Sequence, residues 1–158
     1  MGLDMYLKRK KYVGANYEHR NVKGIIDISV NGNKLPIDFT KVSEITEQFS
    51  YWRKANAIHK WFVDNVQDGV DDCKEHYVSQ SEMEELLELC KKVKENHSLA
   101  SELLPTTQGF FFGSQEYDEY YFSDIDDTIE ILESALEDFK NTDNSFDYGY
   151  DYYYESSW

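Results

Sequence analysis

Within the stretch YWRKANAIHK, residues 51–60, five side chains have types and spacing suited to holding a small polar ligand. Arg53 offers a planar fork of N–H donors that matches phosphate, and Lys60 a compact ammonium. Asn56 supplies a paired donor and acceptor, His59 a titratable ring, and Trp52 a flat face for stacking. Read as part of a central helix over 42–66, a rotation of about 100° per residue places Arg53, Asn56 and Lys60 in one stripe at i, i+3, i+7, where they converge on an anion. The same helix gathers Ile45, Phe49, Trp52, Ala55, Val63 and Val66 on a core-facing arc, with Asn56 and His59 inside it. A structural account of the same residues is also open: Arg53 and Lys60 pair with carboxylates, while Asn56 and His59 make ordinary buried hydrogen bonds. Hydrolysis with His59 as base lacks a Ser or Cys nucleophile motif or a metal cluster to accompany it, so no catalytic residue is assigned.

Metal and cofactor signals are incomplete. Asp64, Asp68, Gly69, Asp72 and Glu75 take positions 1, 5, 6, 9 and 12 of an EF-hand loop, but position 3 is Val66, which has no side-chain oxygen. Cys73 and His76 have CxxH spacing without the second pair that a tetrahedral zinc site needs. No Gly-rich phosphate loop or dinucleotide fingerprint is present, so neither a metal nor a cofactor is expected. Cys90 falls in an apolar stripe and reads as a core thiol.

The elements that must position these residues follow from periodicity. Leu3, Met5 and Leu7 alternate with Asp4 and Tyr6, the pattern of a half-buried strand, and the basic run Lys8 to Lys11 leads into a polar loop over 12–23. Ile25 to Val30, Asn31-Gly32 and Lys34 to Phe39 predict a hairpin with a type I′ turn, Pro36 making its second strand an edge. Ser79 and Glu82 form a capping box for a helix whose stripe is Met83, Leu86, Leu87, Cys90 and Val93. The runs Gly109 to Gly113 and Tyr120 to Phe122 predict another hairpin. Ser123 is placed as cap of a last helix with Ile125, Ile129, Leu132, Leu136 and Phe139 inward. These elements predict one α+β domain over 1–140, a small, largely antiparallel sheet packed against three helices. Beyond Lys140 the segment 141–158 loses aliphatic residues and alternates acids with tyrosines; disorder, an added strand and a docking segment all fit it, and a chain ending at Lys140 is expected to stay folded.

With 158 residues, 41% hydrophobic and 16% aromatic, the chain can build a core despite a net charge of −15. Residues 1–60 hold eleven Lys/Arg against six Asp/Glu, and 61–158 five against twenty-five. That balance argues against binding duplex nucleic acid and allows either a basic partner or simple solubility. Two cysteines suit a reducing compartment, and the sequence has neither an apolar run of membrane-span length nor the h-region of a signal peptide. A cytoplasmic location is therefore expected.

MGLDMYL, YWRKANAIHKWFVDNVQDGVDDC, the ELLPT stretch and FFFGSxxYDxYYF resemble a family of small phage and prophage proteins over roughly residues 1–140. The resemblance implies a setting, counter-defence against host immunity, and transfers no catalytic residue. Together these readings lead to a non-catalytic protein that sequesters a nucleotide-like or other phosphorylated signalling molecule through Trp52, Arg53, Asn56, His59 and Lys60. The alternative is an acidic, anti-CRISPR-like nucleic-acid mimic that blocks a basic host defence protein. A homo-oligomer with a shared two-fold site is compatible with either.

Overall fold

The computed structural model describes residues 2–14, 24–140 and 149–158. Its main sheet has four antiparallel strands in the order β4-β1-β6-β5, formed by β1 (Asp4–Tyr12), β4 (Glu44–Arg53), β5 (His76–Val78) and β6 (Asp151–Ser157). The helices are α1 (Asn56–Asn65), α2 (Gln80–Glu95), the single turn α3 (Ala100–Leu103) and α4 (Glu119–Lys140). A separate two-stranded ribbon pairs β2 (Ser29–Val30) with β3 (Asn33–Lys34). This is the expected α+β domain with an antiparallel sheet.

The alternation in β1 does what its pattern predicts. Leu3, Met5 and Leu7 are fully buried, and they join Trp52, Val78, Tyr152 and Tyr154 on the sheet face that meets the helices. The helices contribute Ile58 and Phe62 from α1, Met83, Leu86, Cys90 and Val93 from α2, and Ile125, Ile129 and Leu132 from α4. Each set repeats at three or four residues, the period that keeps side chains on one helix face. The capping box is present: Ser79 Oγ accepts from the Glu82 amide at 3.2 Å, and the Glu82 carboxylate accepts from the Ser79 amide at 2.7 Å.

Several sequence expectations are corrected. The stretch 42–66 is not one helix: its first half is β4, its second α1, and they meet at Lys54, whose φ of +60° no helix accommodates. Between the pairs Leu7↔Ser50 and Lys8↔Gln48, Phe49 has no counterpart, so β4 carries a bulge. The extra residue reverses the alternation, and the inward set Ile45, Phe49, Trp52 acquires the spacing i, i+4, i+7 of a helix.

The Asn31-Gly32 turn forms with φ of +51° and +78°, the double left-handed conformation of a type I′ turn, but its strands are two residues each and stay outside the main sheet. Ile25 to Ile28, expected in the first strand, lie outside it, and Ile25 is exposed. No second hairpin forms from 109–122. The glycine-flanked phenylalanines lie in a loop, and Tyr120 to Phe122 open α4. The cap of α4 is Asp118, whose carboxylate accepts from the amides of Tyr120 and Tyr121, both at 3.1 Å, so Ser123 lies inside the helix.

The boundary drawn at Lys140 also moves. Although 141–148 fall outside the described residues, 151–157 form β6, an inner strand with β1 on one side and β5 on the other. Of the three readings of that segment, the added strand is the one found. Tyr152, Tyr154 and Ser156 point inward and are buried. Phenolic oxygens inside a core need partners, and both have one: Tyr152 donates to Asp138, and Tyr154 Oη lies 2.7 Å from His59 Nδ1. Most of the polar loop expected over 12–23 lies outside the described residues, and the cations of β1 before it are paired. Lys8 contacts Glu75 and Glu155, Lys10 contacts Glu75 at 2.6 Å, and Arg9 bonds Glu47 and Asp138 while lying over the rings of Phe49 and Tyr150.

Candidate functional site

Because β4 and α1 meet at a sharp joint, the five expected ligand residues do not share a stripe. Trp52 is inward on β4, buried, and its indole N–H donates to Thr128 Oγ1 of α4 at 2.9 Å. Asn56 begins α1 and is buried, its amide spent on the chain itself. Nδ2 donates to the carbonyls of Phe112 at 3.0 Å and Ser114 at 2.8 Å, and Oδ1 accepts from the Thr107 amide at 3.1 Å. The side chain thereby staples the irregular segment 105–118 across the start of α1. On either side of this staple lies a cleft, one taking Arg53 and the other His59 and Lys60.

The first cleft, about 490 Å³, lies between the β4–α1 joint and the start of α4. One wall carries Arg53 and Lys54. Arg53 has a side chain 59% exposed and approaches only Asp4, at 3.9 Å, while Lys54 makes no ion pair among the described residues. Lys54 is held by its backbone, with its N–H on the Leu3 carbonyl at 2.8 Å and its C=O accepting from Asn56 N at 2.8 Å. Its aliphatic stem lies against Gly113, whose φ is +87° and where an added Cβ would come within 3.2 Å of the Lys54 Cβ. The cleft is lined as well by Glu116, Asp118 and Asp124, with Tyr120 exposed. None of these carboxylates reaches ion-pair distance of Arg53 or Lys54 among the described residues.

Asp124 is half-buried, and burial, followed by the negative charges of Asp127 and Asp118, pushes its carboxyl up to about 7 from the ordinary 3.8. The folded protein therefore holds a proton there between about pH 4 and 7 that the unfolded chain has released, and stability falls as pH rises through that window. Asp124→Asn should leave stability unchanged at pH 4 and raise it at pH 8, on the order of 1 kcal/mol once solvent screening is allowed for. Urea unfolding at the two pH values measures this; equal effects at both would mean that Asp124 ionises normally.

The second cleft, about 460 Å³, lies between α1 and residues 107–112. His59 is at its base, 1% exposed, with Nδ1 on Tyr154 Oη and Nε2 2.9 Å from Asp71 Oδ2. The other oxygen of Asp71 accepts from the Trp158 indole at 3.1 Å. With His59 neutral, a proton on Nε2 satisfies the whole chain: the indole and Nε2–H donate to the carboxylate, and Tyr154 donates to Nδ1. Both ring nitrogens are thus engaged, and no free base faces the cleft. Lys60 pairs with Asp64 at 2.6 Å at the rim. For Asn56, His59 and Lys60 the structural account offered by the sequence describes the contacts present.

Several lining residues carry no signal in the helical reading of 42–66. Lys54 lies off the expected stripe, Asp124 and Tyr120 come from the segment expected to hold the second hairpin and the last helix, and Trp158 comes from the tail. The EF-hand spacing does not assemble either. Asp64 is with Lys60, Asp72 with Lys74 and His76, and Glu75 with Lys8 and Lys10. Among the described residues no group of three His, Cys, Asp or Glu side chains is arranged around a metal position, and no helix is long and apolar enough to cross a membrane. Comparison with family models, characterised proteins and solved structures gives no match to this chain.

Proposed function

We propose that the chain is a non-catalytic binding protein that captures a nucleotide-like or other phosphorylated small molecule in the Arg53–Lys54 cleft. The observation that carries this reading is the polarity of that cleft. Lys54, which has no ion pair among the described residues, lines it beside Arg53, whose carboxylate contact is Asp4 at 3.9 Å, and Glu116 and Asp118 line it as hydrogen-bond acceptors. A nucleoside phosphate has the matching polarity, anionic at one end and rich in hydroxyl or amine donors at the other. Tyr120, exposed at the rim, gives a base a face to stack on. Sequestration rather than turnover fits a cleft lined, among the described residues, by no histidine or cysteine, with His59 of the neighbouring cleft engaged on both nitrogens. In the setting implied by the resemblance to phage proteins, such capture would withdraw a host defence signal.

A thermal-shift screen of nucleoside mono-, di- and triphosphates, cyclic nucleotides and ADP-ribose derivatives tests this, followed by titration of any hit. Arg53→Ala and Lys54→Ala should each weaken binding by roughly 1.5–3 kcal/mol, the scale of a charge-assisted hydrogen bond. Unfolding midpoints should hardly change for Arg53→Ala, because that side chain is exposed, and the ligand should be recovered unaltered. A screen without a hit, or binding indifferent to both substitutions, would remove this cleft as the site.

A further inference from the structure

The second cleft has a different character. Its lining includes the rings of Phe110, Phe112 and Trp158, with Lys60, Asp64 and Asp71 beside them. Phe112 and Trp158 meet edge to face, with centroids 6.1 Å apart and planes at 70°, so they form two adjoining sides of a corner rather than a stack. Phe110 is 90% exposed at the tip of a loop between Gly109 and Gly113, and Trp158 is 52% exposed. A large aromatic left this open, beside a second one, marks a contact surface more readily than a core defect.

The charges of this cleft decide what fits against the rings. Lys60 and Asp64 neutralise one another at 2.6 Å, which leaves Asp71 as the carboxylate without a cationic Lys or Arg partner among the described residues. Each Asp71 oxygen accepts one hydrogen bond, from His59 or from Trp158, and a carboxylate oxygen has capacity for a second. Aromatic faces present negative potential, so rings and carboxylate together favour a cation and disfavour a phosphate. The chain as a whole, at −15, attracts basic partners. We infer that the Phe110–Phe112–Trp158 cleft is a receptor for one cationic side chain, arginine above all, presented by a basic segment of a partner protein. A guanidinium fits best because it is planar, stacks on aromatic faces and donates in a fork toward one carboxylate. The site is independent of the Arg53–Lys54 cleft, on the far side of the Asn56 staple.

The indole N–H resonance of Trp158, identified by its loss in Trp158→Phe, reports directly on this cleft. Nα-acetyl-arginine amide should shift it in a saturable titration, whereas the citrulline analogue, of the same shape without the charge, should not. Phe110→Ala should weaken the arginine derivative by about three- to fivefold, the scale of one cation–π contact. Glu130→Gln, which removes an exposed acid on α4, should not weaken it. Phe110 is so exposed that its replacement leaves the fold intact. The inference is overturned if citrulline and arginine derivatives behave alike, if AMP shifts the resonance and the arginine derivative does not, or if Glu130→Gln weakens binding as much as Phe110→Ala, which would mean unspecific attraction to the acidic surface.

Discussion

Ending the chain at Lys140 should abolish cooperative unfolding. The lost segment includes β6, so β1 and β5 would each lose their shared neighbour and expose a row of unpaired backbone groups. Tyr152 and Tyr154, both fully buried, would leave holes on the inner face of the sheet. Removing one large aromatic from a core costs roughly 3–5 kcal/mol, so two of them with a strand's hydrogen bonds exceed the usual stability of about 5–15 kcal/mol. Circular dichroism through a thermal ramp, beside the full chain, is the measurement. A truncated chain that still unfolds in one sharp transition would show that the sheet closes without β6.

Asn56→Ala should be nearly as damaging for its size, by roughly 2–4 kcal/mol. It strands the Phe112 and Ser114 carbonyls and the Thr107 amide in a setting where the Asn56 side chain is buried, and each buried group left unpaired costs roughly 1–3 kcal/mol. The denaturation midpoint should fall, and proteolysis should begin within 105–118 before the body opens. Asn56→Asp should not rescue, because a carboxylate accepts from Thr107 but cannot donate to two carbonyls. An unchanged midpoint would mean that the loop is pinned by other contacts and that Asn56 is free to serve a ligand.

The parts of this fold legible in the sequence are those where one apolar face runs unbroken. Leu3, Met5 and Leu7 alternate, the α2 stripe from Met83 to Val93 and the α4 stripe from Ile125 to Leu136 keep helical spacing, and Ser79 with Glu82 marks a helix start. Legibility fails where a local irregularity or a tertiary partner decides. Phe49 shifts the phase of β4, and a left-handed Lys54 turns the chain between two residues that both look helical. β6 was obscured because its inward residues are tyrosine and serine, whose hydroxyls lower apparent hydrophobicity. Only the fold reveals that Asp138 and His59 stand ready to satisfy the two phenols. The candidate site was legible as a set of residues but not as an arrangement, since one assumed helix became a strand and a helix facing two clefts.

The position of β6 in the sheet also governs when the molecule can form. Lys8 on β1 meets Glu155 on β6 across a separation of 147 residues, and β5 reaches the rest of the sheet only through that strand. During synthesis, β1 and β4 can zip together early, yet the other edge of β1 stays open until residue 157 has left the ribosome. Closing so long a loop adds entropy cost only slowly with length, but it delays every contact that depends on it. At about 5–20 residues per second the nascent chain spends several seconds with an exposed strand edge. Expression at lower temperature, or with a chaperone that shields such edges, should therefore raise soluble yield more for this protein than for one whose sheet is completed early.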